Sequence, residues 1–384
     1  MNFLKSFICI TLIFLCGCTT VKVVNINESD NLKKNALVYC LPRNIIRINI
    51  EVTKTTYKPG PYYEYAEKYL GIKEVIKTGK KVFRITNIDI KTYAEPDSSL
   101  YYLIFSKGKN IAELLTLTEE GMLLAVNSDI DNNKYQPVVN LNELSRGEKQ
   151  IKYTDLSVKR NFREESSTMT KRVKKDTSYI KIPVQKTSII KKSIQEKAEE
   201  AANFMIKLRK RRFKLIAGIY EKFPESEALN TMICELDSLE NEYLSLFTGK
   251  TITEVMNYSY DHVPGQNNSP VSLCYFSEEN GISADNTNKG KPVLIEVINE
   301  CKTDSLHAYQ DRLMSNKKGN NGIFYRIPDH AIINIFAGNS IIASSRLLIA
   351  QYGSVVSLPA CILKKRSVEF YPEYGSIRKI SIKE

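Results

Sequence analysis

Between Ile194 and Leu246 the apolar residues recur at alternating spacings of three and four, in two runs. Ile194, Ala198, Ala201, Met205, Leu208, Arg212, Leu215 and Ile219 mark the first, and Leu229, Met232, Leu236, Leu239, Tyr243 and Leu246 the second. That period sets one apolar stripe along one face of a helix, and two such stripes bury each other. Gly218, Pro224 and Ser226 lie between the runs and supply a stop, a breaker and an N-cap, so residues 188–248 are expected to form an antiparallel helical hairpin. Arg212 interrupts the first seam, and its head is expected at the edge, with Glu240 as a partner. The rest of the chain is written in a different period.

Elsewhere the pattern is strand. Ile46, Ile48, Ile50 and Val52 alternate with Arg47, Asn49 and Glu51, as a half-buried strand requires. Strands are expected at 36–41 and 45–53, on either side of Pro42. Lys58-Pro59-Gly60-Pro61 then makes a turn, and a short helix over 62–70 is stopped by Gly71. Further strands are expected at 82–93 and 101–105, then a hairpin of 114–117 with 122–126 about Gly121. After Thr251 the chain reads as strand after strand, punctuated by Pro264-Gly265, Lys289-Gly290, Gly338-Asn339 and Tyr374-Gly375. The fold class is therefore α+β, mostly β. Two antiparallel β units are expected, sandwich-like or partly open barrels, over 36–145 and 249–384. A basic linker (146–187) and the helical hairpin separate them. Val38-Tyr39-Cys40-Leu41-Pro42 echoes Phe324-Tyr325-Arg326-Ile327-Pro328, which suggests equivalent strands of two related units or a chance likeness of short β segments.

The N-terminus gives an address. Lys5 precedes a short apolar run that ends at Leu15-Cys16-Gly17-Cys18, the layout of a removable signal whose last cysteine can be acylated before cleavage. Residues 1–17 are expected to be a lipoprotein signal peptide, Cys18 the lipidated residue and 18–35 a tether. No other apolar run approaches the roughly 18 residues that span a bilayer, so the acyl chains on Cys18 are the expected membrane attachment. Thr19-Thr20-Val21-Lys22 carries no acidic residue beside the cysteine, which tilts the expectation to the periplasmic face of the outer membrane rather than the cell surface. The remaining cysteines, Cys40, Cys234, Cys274, Cys301 and Cys361, are odd in number and far apart, and most are expected as small buried apolar residues, with room for one bridge.

The chain carries a formal net charge of +12, and one segment holds it: Arg146 to Lys214 contains 21 Lys or Arg against 8 Asp or Glu. A nucleic-acid partner is not expected, because no recognised module accompanies the charge and aromatics there are few. Anionic lipid, phosphorylated glycolipid or an acidic envelope protein fits better, with Lys171, Arg172, Lys174, Lys175, Arg209, Lys210 and Arg211 as contacts. The alternative is a solvated basic face with no dedicated ligand. A second candidate is the aromatic patch of Tyr57, Tyr62, Tyr65 and Tyr69, either a stacking platform for a sugar ring or tyrosines packing a helix on its sheet. Trp, the broadest stacking surface, is absent.

Catalytic signals are missing. There is no GxSxG elbow, and His262, His307 and His330 stand in no metal-ligand spacing. Glu119-Glu120 sits in a tight turn with little reason for a raised pKa. Gly249-Lys250-Thr251 resembles the end of a phosphate loop, yet position 244 is Leu and the motif closes a helix instead of opening one. No catalytic residue, metal site or cofactor is expected.

Five blocks carry a family resemblance: KTTYKPGPYYEYAEKYLGI from Lys54, AANFMIKLRKRRFKL from Ala201, NEYLSLFTGKTITE from Asn241, CYFSEENGISADN from Cys274 and GIFYRIP from Gly322. Together they resemble the lipoprotein family called domain of unknown function 4831, from about Ala36 to the end. The resemblance implies a cell-envelope protein and supplies no catalytic or binding residues. The long basic stretch near 160–192 departs from the family pattern. The expected function is a non-enzymatic adaptor or structural lipoprotein, and the alternative is a lipoprotein that binds a glycan or small ligand.

Overall fold

The computed structural model describes residues 21–26, 36–106, 114–128, 152–153, 155, 161–175, 178–219, 225–266, 268–285, 290–315, 322–359, 362 and 366–382. In chain order, strands β1 (Val21–Asn25) and β2 (Leu37–Lys58) precede a 3-10 turn at Tyr63–Tyr65 that runs into helix α1 (Ala66–Leu70). Strands β3 (Lys80–Ser106), β4 (Leu115–Leu117), β5 (Leu123–Val126), β6 (Phe162–Lys175) and β7 (Ser178–Lys191) follow. Helices α2 (Ile194–Ile216) and α3 (Ser226–Thr248) come next, then β8 (Lys250–His262), β9 (Val271–Ser277), β10 (Gly281–Ser283) and β11 (Lys291–Asn299). Helix α4 (Asp304–Ser315) and strands β12 (Gly322–Ala337), β13 (Ser340–Pro359), β14 (Arg366–Tyr371) and β15 (Ser376–Ile382) complete the chain.

The α+β, mostly β class holds, and none of the sheets closes into a barrel. Their orders are β1-β3-β2-β8, β10-β9-β11-β12-β13, β15-β14-β5-β4 and β6-β7. Sheet membership does not follow chain order. β8 comes after the helical hairpin yet lies beside β2, and β14 pairs with β5. A period of two tells which face a residue is on and carries no information about which strand will be its neighbour.

Some expected breaks are absent. Pro42 and Pro96 lie inside β2 and β3, so each pair of expected strands is one strand, of 22 and 27 residues. Pro328 lies inside β12, where the register with β13 shifts between Ile327 and Asp329, the bulge that a residue without an N–H needs. Val21–Asn25, expected as tether, pairs antiparallel with the end of β3. Most of the expected linker is the β6-β7 ribbon, 14 residues a side. Helix α4 carries no clear stripe in its sequence and was not expected from it.

The chain divides into two compact units. The first comprises Met1–Val52, Ile85–Leu144 and Met256–Glu384, the second Thr53–Arg84 and Ser145–Val255.

In the first unit the core gathers Tyr39, Leu41, Tyr102, Ile104, Leu115, Leu123, Ile323, Phe324, Leu358, Val368 and Phe370. The rings of Tyr39, Tyr102 and Phe324 stack with centroids 5.4 and 4.7 Å apart. Tyr39 Oη accepts from the Phe324 N–H at 2.9 Å. Arg326 Nη1 donates to the Pro42 carbonyl, and Nη2 to Asp97 Oδ2 at 2.9 Å. The two echoing segments therefore touch within one unit and do not head two separate ones. Asn44, also buried, accepts from the Ala350 N–H at Oδ1 and exchanges two hydrogen bonds with the Gln351 side chain, whereas Arg326 Nε and the buried Ser354 Oγ make no hydrogen bond among the described residues.

In the second unit α2 and α3 run antiparallel, tied by Arg209–Glu240 at 2.6 Å and Arg212–Asp237 at 2.7 Å. Arg212 thus takes Asp237 as its close partner, with Glu240 at 4.0 Å. Ala198, Ala201, Ala202 and Met205 bury against Tyr243, Leu246 and Phe247, and Tyr62 and Ala66 complete that core. The seam opens toward the connection between the helices, where Ile219 and Met232 are exposed. Gly60 is required here: a Cβ on it would stand 2.2 Å from the Leu246 carbonyl oxygen.

Candidate functional site: a basic ribbon and a helix face

The ribbon pairs from Phe162–Lys191 to Lys175–Ser178 with no register shift. At about 3.3 Å per residue it is roughly 45 Å long. Its base is anchored to the start of α2. Ser193 and Glu196 form a capping box, Arg163 pairs with Glu196 at 3.3 Å, and Lys197 Nζ donates to Asn161 Oδ1 at 2.8 Å. Hydrogen bonds from the Ser193 N–H and hydroxyl hold the Glu196 carboxyl below its usual range.

Beyond the base, no described residue covers the ribbon. Residues 162–173, 179 and 181–191 are all exposed, including Met169, Val173, Ile182, Val184 and Ile189. The register sorts them. One face carries Met169, Val173, Ile182 and Val184 with Lys171 and Lys186 among them, and the other carries Thr168, Thr170, Arg172, Lys181 and Gln185. A two-stranded ribbon with open edges is marginally stable alone in water, so an exposed one of this length is suited to meeting a partner. Lys171 and Arg172, expected as contacts, are thus solvent-facing on opposite faces, and Lys174 and Lys175 follow them in β6 opposite Tyr179 and Ser178.

The second cluster lies on α2. Arg209, an expected contact, is held by Glu240, whereas Lys210 and Arg211 are exposed. The sequence reading missed the apolar residues beside them. Ile206 and Phe213, one heptad apart and off the buried seam, line a shallow groove of about 390 Å³ with Arg209, Lys210, Lys214 and Ile219. Ile219 reaches it through a Schellman turn: Gly218 has φ 70°, its N–H bonds the Leu215 carbonyl, and the Ile219 N–H bonds that of Lys214. The signal in the sequence was an Ile206-Phe213 pair flanked by Lys and Arg.

The tyrosine patch is divided. Tyr62 is buried and its hydroxyl donates to Asp155 Oδ2 at 2.8 Å, while burial followed by that bond pushes its pKa well up. Tyr65 and Tyr69 are half-buried and stacked at 6.2 Å, and Tyr57 lies under Lys80. Cys18 lies outside the described residues.

Cys40 and Cys274 are buried free thiols as expected, but Cys234 and Cys301 are exposed, and Cys361 lies outside the described residues. Cys301 adopts φ 55° between β11 and α4. Desolvation, Asp304 and Asp329 push its thiol up, the opposite of what a thiolate nucleophile needs. Gly249 follows the last residue of α3 and precedes β8, so Gly249-Lys250-Thr251 closes a helix. Among the described residues no helix is long and apolar enough to cross a membrane.

Fold and surface together define a mostly β, α+β protein with a long basic ribbon and a helical hairpin. The family model described as domain of unknown function (DUF4831) matches residues 35–378, and the chain belongs to that family. No curated protein and no solved structure matches the chain.

Proposed function

We propose that the chain is a lipid-anchored cell-envelope protein without enzymatic activity, an adaptor or structural lipoprotein. It holds an acidic envelope partner through the β6-β7 ribbon at the periplasmic face of the outer membrane. The observation that carries this reading is the ribbon itself: exposed at residues 162–173, 179 and 181–191, open at both edges among the described residues, and rich in cations set among apolar side chains. Open edges offer main-chain pairing and the cations select for acidic surfaces. Leu15-Cys16-Gly17-Cys18 supports the anchor.

In-cell crosslinking of the full lipoprotein, followed by mass spectrometry, tests the adaptor role. A defined protein adduct is expected, lost when Lys171, Arg172, Lys174 and Lys175 are changed to Gln; an adduct indifferent to those changes would move the contact elsewhere. Fatty-acid labelling tests the anchor: Cys18→Ser is expected to abolish it, and persistent labelling contradicts it. A glycan- or small-ligand-binding lipoprotein is the second reading. It rests on the stacked, half-buried pair Tyr65 and Tyr69, and a glycan array on the wild type and Tyr69→Ala tests it.

A further inference from the structure

The outward side of α2 is built differently from the ribbon. From Ala201 to Ile219 there is no acidic residue and there are six Lys or Arg. Two of these, Arg209 and Arg212, are neutralised by Glu240 and Asp237 on α3. Lys207, Lys210, Arg211 and Lys214 make no ion pair among the described residues and are exposed. Among them stand Ile206, Phe213, Ile216 and Ile219, with Phe213 67% and Ile216 62% exposed. The helix therefore has two apolar sides: one packed on α3, and one facing water with a shallow groove whose walls are almost wholly hydrocarbon.

We infer that this side of α2 seats on an anionic bilayer surface, with Ile206, Phe213 and Ile219 entering the acyl boundary and Lys207, Lys210, Arg211 and Lys214 meeting lipid phosphates.

The place of Lys210 favours a bilayer over a protein groove. Lys is depleted from the centres of protein interfaces, yet here Lys210 sits between Ile206 and Phe213, the centre of the patch. At a membrane that placement is useful, because the alkyl stem lies along the apolar surface while the ammonium reaches back to the headgroups. At 100° per residue Lys207, Lys210, Arg211 and Lys214 follow one flank of the Ile206–Phe213–Ile216 stripe, a continuous row of charge beside the apolar surface. The Schellman turn at Gly218 fixes Ile219 beside the stripe, so part of the apolar surface is organised before contact. This inference is independent of the ribbon, and either can fail alone.

The chain contains no Trp, so Phe213→Trp introduces a single indole. The position is exposed, so the substitution is expected to leave the fold intact. The chain from position 18 to 384 carrying Cys18→Ser and Phe213→Trp is mixed with vesicles of phosphatidylglycerol and phosphatidylethanolamine, or of phosphatidylcholine alone. With the anionic vesicles we expect the indole emission to shift to the blue and to be quenched by brominated acyl chains, with no change on phosphatidylcholine. Lys210→Gln and Lys214→Gln should weaken binding about fivefold each. Neutralising Lys171, Arg172, Lys174 and Lys175 should leave the blue shift in place. An indole that stays in water while the protein binds anionic vesicles would overturn the inference and leave the ribbon as the contact. Equal binding to both kinds of vesicle, or to neither, would overturn it as well.

Discussion

The β12-β13 and β6-β7 pairs are both long antiparallel hairpins, and their environments are opposite. β12 lies between β11 and β13, and alternate residues Ala331, Ile333 and Ile335 are fully buried. Its register shifts twice, at Ile327/Asp329 and Ile335/Phe336, so that it bends over a core. β6 has one neighbour, no shift and no buried residue among those described. Apolar side chains recur at every second position in stretches of both. What separates them is a third strand and a second layer, which convert alternation into burial. An alternating ribbon that lacks both keeps its apolar side chains available for something outside the chain.

The comparison breaks most readily at the buried ion pair of the first unit. Arg326→Ala leaves Asp97 buried without its guanidinium partner, and a loss of about 3–5 kcal/mol is expected in urea unfolding. The same truncation at Arg172 in the ribbon should cost under about 0.5 kcal/mol. Acid titration sharpens the point. Burial pulls the Asp97 carboxyl up, but hydrogen bonds from Ser99 and Arg326 outweigh it and hold the group below the usual carboxylate range. A depressed carboxyl contributes stability above its unfolded pKa and loses it as pH falls through the folded value. Asp97→Asn should therefore flatten the acid limb of the stability curve, whereas Arg172→Ala in the ribbon leaves the limb unchanged.

Isoleucine gives a matched pair of smaller effect. Ile333→Ala should cost about 2–5 kcal/mol, and Ile189→Ala, 73% exposed, under about 0.5 kcal/mol. A similar loss at both sites would mean that the ribbon is packed. Glycines extend the series. A Cβ at Gly353 would stand 1.8 Å from the Ile327 carbonyl oxygen, at the β12 bulge, so Gly353→Ala should cost about 1–3 kcal/mol, while Gly265→Ala meets nothing within 4 Å and should be neutral. Thermal melts of the two variants read the difference directly.

Much of this fold was legible in the sequence because its signals are local. The helical hairpin follows from a three-and-four period, Gly71 and Gly121 take the positive φ their turns need, and most C-terminal strands match their alternation. The missing parts depend on partners distant in sequence. Pro42 looks like a break until Arg326 takes its carbonyl, and β8 cannot be placed beside β2 from either strand's own pattern. The ribbon was hidden because polar and basic residues dilute its alternation, and an exposed strand needs no apolar face to be regular. Of the expected site, the cations were legible and the groove was not: Ile219 reads as seam in the sequence, and a Schellman turn carries it to the outside of α2.

The most direct test of the ribbon as a contact arm is photo-crosslinking in living cells, with a photoreactive residue at position 169 on one face and, separately, at 189 on the other. The account predicts an adduct to one envelope protein from at least one ribbon position. That adduct should vanish when Lys171, Arg172, Lys174 and Lys175 are changed to Gln, with stability unchanged. No adduct at either position, or one that survives the loss of those charges, would contradict it.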